Sequence, residues 1–451
     1  MKVMFVSLGC DKNTTDTEAM LGLFYGWGYD FTDDENEAEI IIVNTCCFIN
    51  DAKQESVDTL LEMAQLKESG KLKILIACGC LAQRYKDEIM DEIPEVDAVV
   101  GTSSYDRIAN ITDELRRRKK NGSNERISCF DNLDRLPVVK DERVITTGGS
   151  YEYLKIAEGC DKCCTYCIIP KVRGPYRSVP MEELISQAEW LASQGIKELI
   201  LVAQETGIYG IDIYGEKSLH RLLHKLCEID GLEWIRILYC YPEEIDDNLI
   251  EAIKNEPKVC NYLDIPIQHA DDDILKRMGR RTNRQDLIDI INKLRAQIPD
   301  ICLRTTLITG FPGETKVQHE ELLDFIDEVS FDRLGVFTYS AEEDTPASSF
   351  DGQIDEGVKE QRRSEIMELQ QEISADCSAQ FVGKTLKVMI EGKLTDENVY
   401  VGRTYRDAPN VDGYVFVNTD DQLMTGDFIS VRITGSDEYD LMGEPDYEFT
   451  K

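Results

Sequence analysis

The stretch Glu158-Gly-Cys-Asp-Lys-Cys-Cys-Thr-Tyr-Cys-Ile-Ile-Pro170 sets Cys160, Cys164 and Cys167 in a CxxxCxxC spacing. Soft thiolates suit iron–sulfur clusters, and a short loop can converge three of them on three irons of a 4Fe–4S cube. The spacing supplies no fourth ligand, so one iron stays open to a small molecule, which implies chemistry rather than electron storage. Two other readings fit the same residues. Positions i, i+4 and i+7 describe one face of a helix carrying buried thiols, and zinc would take the set with a fourth ligand. Gly159, Asp161, Lys162, Thr165 and Pro170 interrupt or bound the run and favour a loop.

Working outward, the loop directly follows a strand signal at Leu154–Ala157. Further strands are predicted at Glu198–Val202, Ile235–Leu238, Tyr262–Ile265, Cys302–Ile308 and Leu334–Phe337, with helical segments between them. About six βα units over 146–376 predict an α/β partial TIM-like barrel, (βα)6, whose chemistry sits on the loops after its strands. Lys359–Ala379 reads as a connecting helix. Strand signals at Lys384–Glu391, Val399–Tyr405, Gly413–Val417 and Asp427–Ile433, with Gly and Asp turns, predict a small antiparallel β-barrel over 379–448.

Upstream, 1–118 reads as a second α/β domain with a parallel sheet. Its predicted strands are Lys2–Leu8, Ile40–Asn44 and Leu72–Ala77, and its helices Asp16–Trp27, Ala52–Leu66 and Ala82–Ile93. Cys10, Cys46 and Cys80 follow the strands at their carboxyl ends, where ligands of such sheets gather. They form a second candidate cluster site, with Cys47 and Cys78 as alternative ligands and core packing as the plainer reading. The run Arg116–Lys120 ends a helix, where basic residues are favoured, and 119–145 reads as an exposed linker.

The chain has 451 residues, 42% of them apolar and 30% charged, as in a soluble globular protein of two or three domains. No apolar run approaches the roughly 20 residues of a membrane span. The start Met1–Cys10 imitates a lipoprotein signal but lacks its roughly 7–15-residue apolar region, so a cytoplasmic location is expected. Fifteen cysteines, several of them clustered, suit thiolate ligands in a reducing compartment. Net charge is −36, which repels nucleic acid and attracts basic partners.

The CxxxCxxC loop, with Tyr166 before its last cysteine, resembles the signature of radical S-adenosylmethionine (SAM) enzymes. Ser7-Leu-Gly-Cys-Asp-Lys-Asn13, Val43-Asn-Thr-Cys46 and Cys80-Leu-Ala-Gln-Arg84 resemble the N-terminal motifs of the methylthiotransferases among them. Pro266-Ile-Gln-His269 and Gly310-Phe-Pro-Gly-Glu-Thr315 resemble motifs of that family's core, and the terminal barrel resembles a TRAM domain. Gly159-Cys-Asp-Lys162, Tyr176-Arg-Ser178, Tyr209–Gly215 and Asp407–Gly413 resemble the RimO branch rather than the tRNA-modifying MiaB branch. Departures are Cys47 where glycine is usual, the additional thiol Cys163, and Val179 where arginine is frequent.

The resemblance implies a methylthiotransferase with two 4Fe–4S clusters and SAM, acting on the β-carbon of an aspartate in the basic ribosomal protein S twelve. It implies that Cys160, Cys164 and Cys167 hold the radical-generating cluster and that Cys10, Cys46 and Cys80 hold the cluster that supplies sulfur. Tyr166, Gly310 and Gly313 are then expected beside SAM, with Gln204, Arg236 and His269 as weaker candidates. A reductase, flavodoxin or ferredoxin would supply electrons, and a separate sulfur source is needed. The competing substrate is a tRNA adenosine, and a non-catalytic electron carrier or ribosome-binding scaffold is the reading from another class. The terminal segment from Phe381 carries 7 basic and 14 acidic side chains, which suits a basic protein and opposes tRNA binding. His220, His224 and His319 fall on predicted helices and are expected to face solvent.

Overall fold

The structure is a computed structural model describing residues 1–139, 143–395 and 397–447. Residues 140–142 of the expected linker and residues 396 and 448 of the expected terminal barrel lie outside the described residues. The N-terminal sheet comprises β1 (Lys2–Ser7), β2 (Asp30–Phe31), β3 (Ile40–Thr45), β4 (Ile74–Cys78), β5 (Ala98–Val100) and β6 (Ile127–Cys129), ordered β2-β1-β3-β4-β5-β6. Every pairing is parallel. The middle strands β3 and β4 are buried along their whole length, which is why they read as unbroken apolar runs. The expected linker is therefore not wholly exposed, since β6 adds an edge strand to this sheet.

The second sheet contains β7 (Tyr151–Lys155), β10 (Glu198–Val202), β11 (Trp234–Ile237), β12 (Val259–Asp264), β13 (Cys302–Thr309) and β14 (Arg333–Thr338). Their spatial order follows the chain, all parallel, and β7 and β14 are its two edges. This is the partial barrel. Leu154, Leu199, Leu201, Ile235, Ile237 and Leu303 lie on the face covered by helices. On the other face Ile200, Trp234, Tyr262 and Cys302 pack against Met389 and Ala408 of the C-terminal domain. A two-stranded clip of β8 (Ala157–Glu158) and β9 (Arg177–Ser178) stands between β7 and β10 in the chain.

The helix Glu356–Ala379 leads to β15 (Thr385–Lys393), β16 (Val399–Arg403), β17 (Val415–Asn418), β18 (Phe428–Ser436) and β19 (Leu441–Pro445), which close into a barrel. Four seams are antiparallel and the β17–β19 seam is parallel. The Thr404–Asp412 segment docks this barrel onto the sheet. Arg333 pairs with Asp407 at 2.7 Å, and the Tyr262 hydroxyl donates to Asp412 at 2.7 Å. Arg236 and Arg403 both hold Glu198, at 2.7 and 2.8 Å, and all three side chains are fully buried.

Candidate active site

The three-cysteine segment is a loop after β7, pinned at each end. Gly159 has φ +82°, and a Cβ there would lie 2.0 Å from the Pro175 carbonyl oxygen, so only glycine fits. The Cys160 N–H donates to Gly174 O at 3.1 Å, and the Thr165 N–H donates to Met278 O at 2.9 Å. Cys160 and Cys164 are buried. Burial pushes the Cys160 thiol up to about 12, with Cys164 adding to the effect. Cys167 is raised by burial and then by Cys164, with Cys160 contributing less. The thiols lie close enough together for Cys164 to act on both Cys160 and Cys167. Arg280 Nη1 lies 4.0 Å from Cys164 Sγ, and its guanidinium stacks 4.2 Å from the Tyr241 ring centroid. Tyr166 packs with Phe311, Ile274 and Met278, its hydroxyl raised by burial and by Cys164.

The second trio assembles across three neighbouring strands. Cys10 precedes the helix Asp11–Gly26, Cys46 follows β3, and Cys80 opens the short helix Gly79–Arg84 after β4. At Gly9, φ +94°, a Cβ would lie 2.7 Å from Cys46 Cβ and 2.9 Å from its sulfur, so Cys46 rests on the turn that carries Cys10. Burial raises the Cys80 thiol, Arg173 opposes this, and Cys47, Cys46 and Cys10 raise it further. Of the alternative ligands, Cys78 lies 3.9 Å from the Met20 sulfur in the core. Cys47 is fully buried, and its thiol, pushed up to about 12 by burial, is opposed by Arg84.

One buried polar chain joins the two sites. Arg173 Nε donates to Cys80 Sγ at 3.2 Å, and Nη1 donates to Asp16 at 2.6 Å and Glu158 at 3.1 Å. Glu158 accepts from Gln204 Nε2 at 2.9 Å, and Gln204 Oε1 accepts the Gly159 N–H at 2.8 Å, beside Cys160. Gln204 thus holds the cysteine loop. Tyr239, at φ +56°, stands between the domains, its hydroxyl 3.2 Å from Asp11 and its ring 3.3 Å beneath Lys12 Nζ.

Other expected residues fall elsewhere. Arg236 is spent at the floor of the sheet, on Glu198 and on Tyr405 O of the terminal barrel at 2.6 Å. His269 is buried, accepts the Asp271 N–H at 3.0 Å, and is held neutral because burial lowers it to about 3. His319 is buried rather than solvent-facing, 2.7 Å from Glu365 of the connecting helix, while His224 is exposed as expected. Lys359 packs on Gly310, and the Arg277 guanidinium carbon lies 3.1 Å from where a Cβ at Gly313 would stand. Glu314 ties that loop by accepting the Gly310 and Phe311 N–H groups and Arg362, the last at 3.0 Å.

Sequence reasoning missed Glu205, which follows β10. It is fully buried and accepts the Gly207 N–H at 2.7 Å through Oε1, while Oε2 has no partner among the described residues. Burial pushes its carboxyl up to about 8 from an ordinary 4.5. A proton retained by the folded form stabilises it fully below the unfolded pKa, and that stability is lost as pH rises through about 8. The cluster-free protein should lose up to about 1.4 kcal/mol per pH unit across this range. Glu205→Gln should flatten the slope, read as urea midpoints at about pH 5, 7 and 9.

Among the described residues no group of three or more His, Cys, Asp or Glu side chains could hold a metal ion as placed. A cube asks for something different, thiolates at separate corners rather than donors closed on one ion. Six free cysteines in two sets, Cys10, Cys46 and Cys80 at the carboxyl ends of parallel strands and Cys160, Cys164 and Cys167 on one pinned loop, fit that demand.

Three family models match the chain: an uncharacterized protein family, UPF0004, over 2–101, the radical SAM superfamily over 154–326, and the TRAM domain over 382–445. A protein of Lachnoclostridium phytofermentans named "Ribosomal protein uS12 methylthiotransferase RimO" is 60% identical, covering 98% of this chain and 99% of that one. Relatives of the same name from Acetivibrio thermocellus and Clostridioides difficile are 51% and 50% identical, over 100% and 99% of this chain and 99% of each. The radical SAM methyltransferase TsrM of Kitasatospora setae, solved with cobalamin and a 4Fe–4S cluster, superposes with TM-score 0.54 at 12% identity, covering 75% of this chain and 72% of that one. That likeness concerns the fold alone. With near-full-length identity of this order on top of the two thiol trios, the chain belongs to the RimO family of radical SAM methylthiotransferases.

Proposed function

We propose that this protein adds a methylthio group to the β-carbon of an aspartate in ribosomal protein uS12, and that each cysteine trio holds its own 4Fe–4S cluster. The observation carrying this reading is the pair of thiol sets, one per domain, joined through Arg173, Glu158 and Gln204. Bound there, the cofactors supply a carbon radical from SAM, able to break an unactivated C–H bond, and a sulfur atom that accepts a methyl group.

The chain's own task is to hold and to shield. The partnerless Glu205 Oε2 suits a buried ammonium such as SAM's amino group, and Tyr166 with Phe311 offers an apolar wall to its adenine. The Gly310–Gly313 turn, tied by Glu314, would fix the edge of that wall. Tyr239 lies against Asp11 and Lys12, and Tyr241 against Lys162 and Arg280, where their rings would limit the entry of water. Electrons would come from a reductase or a flavodoxin- or ferredoxin-type donor, and sulfur from a separate source. The division at 1–118, 119–145, 146–376 and 379–448 would separate sulfur delivery, linker, radical chemistry and partner contact.

The charge of −36 supports a basic partner such as a ribosomal protein, and the acidic terminal barrel works against tRNA phosphate. No helix among the described residues is long and apolar enough to cross a membrane, and a ribosomal substrate calls for a cytoplasmic location. Mass spectrometry of uS12 and tRNA from cells lacking the gene decides the substrate. The uS12 aspartate should lose the mass of its methylthio group while tRNA is unchanged; loss from tRNA alone would reverse the assignment.

A further inference from the structure

We propose that Arg173 is a positioning residue for the N-terminal cluster and sets that cluster's reduction potential through the Cys80 sulfur; this rests on Cys10, Cys46 and Cys80 being cluster ligands. Arg173 follows the radical loop in sequence, on the short helix Ile169–Arg173, yet its side chain reaches into the other domain. It is buried, and each of its three nitrogens is committed. Nη1 donates to Asp16 and Glu158, Nη2 to Asn13, and Nε to the Cys80 sulfur at 3.2 Å.

Lys155 pairs with the same Asp16 and with Glu158, the latter at 2.9 Å. Two cations and two carboxylates therefore balance, and the clamped fork directs its Nε–H at the sulfur. Arginine cannot shed its charge, and its planar fork fixes the directions of its donors where an ammonium's three rotate freely. Hydrogen bonds to cluster sulfurs and the charge beside them set iron–sulfur potentials. The site is thus completed by the radical domain, and a bland role as ionic cement between domains makes a different forecast.

The test uses the full chain with Cys160, Cys164 and Cys167 all replaced by alanine, reconstituted anaerobically so that only the N-terminal cluster forms. About four irons per chain are expected; none would refute the trio itself and the proposal with it. In that background Arg173→Gln should lower the midpoint potential and shift the electron paramagnetic resonance g-values of the reduced cluster, with Arg173→Lys recovering part of the potential but not the g-values. A cluster in Arg173→Gln with unaltered potential and spectrum overturns the proposal. Should Arg173→Gln not fold, Arg173→Lys decides alone, and an unaltered spectrum there overturns it equally.

Discussion

Cys164→Ala should reduce SAM cleavage at least about a thousandfold, to the background of the reduced protein, because the cofactor and not a side chain performs the bond breaking. Methionine and 5′-deoxyadenosine, separated chromatographically after dithionite reduction, report it. The same variant should hold about four irons rather than about eight. Cys10→Ala is the informative opposite: cleavage should persist while methylthio product disappears. Cys163→Ala should keep both activities, since Cys163 is exposed whereas Cys160 and Cys164 are buried. Retained cleavage in Cys164→Ala, or its loss in Cys163→Ala, would show that the thiols divide otherwise.

Glu198→Ala should be the most damaging single change to the fold away from the cysteines. Burial works to raise the Glu198 carboxyl, but Arg403 and Arg236 prevail and hold it below the ordinary range. Removing it leaves two fully buried guanidinium groups with only Glu391, 2.6 Å from Arg403, as a charged partner among the described residues. Breaking a buried pair from one side costs about 3–5 kcal/mol. The transition in which the terminal barrel leaves the sheet should move to lower urea, followed by Trp234 fluorescence, because Trp234 packs edge-on to Phe428 across that interface at 4.8 Å. Glu198→Gln should fall between. An unmoved midpoint in Glu198→Ala would mean that these charges are solvated.

The long buried strands were legible because they are largely apolar, and the cysteine loop because its Gly and Pro limits favour a loop over a helix. The first helix was legible only from Asp16. It begins at Asp11, and the polar residues Lys12, Asn13, Thr14 and Thr15 read as a loop. Asn13, Asp16 and Glu18 are buried because they meet Arg173 and Lys155 of the neighbouring domain and Arg143 of the connecting segment, with Glu18 2.8 Å from Arg143. Amphipathic pattern fails where one domain buries charge against another. The expected helix Ala82–Ile93 breaks at Tyr85, where Arg84 is pulled 2.9 Å from Glu342 of the core. In the terminal barrel, β19 escaped notice because Gly443 and Pro445 weaken its signal and its parallel partner β17 is remote in the chain. Glu205 was invisible for a simpler reason: a single glutamate has no motif, and only an orphaned oxygen in a dry setting marks it.

The segment Thr404–Asp412 belongs to the C-terminal domain but forms the underside of the half-barrel. Deleting that domain to obtain a minimal catalyst would therefore unplug the interior and let solutes with weak C–H or S–H bonds, such as buffer or thiol reductant, reach the radical and quench it. Truncated enzyme should consume SAM without modifying anything, a leak rather than a loss of recognition.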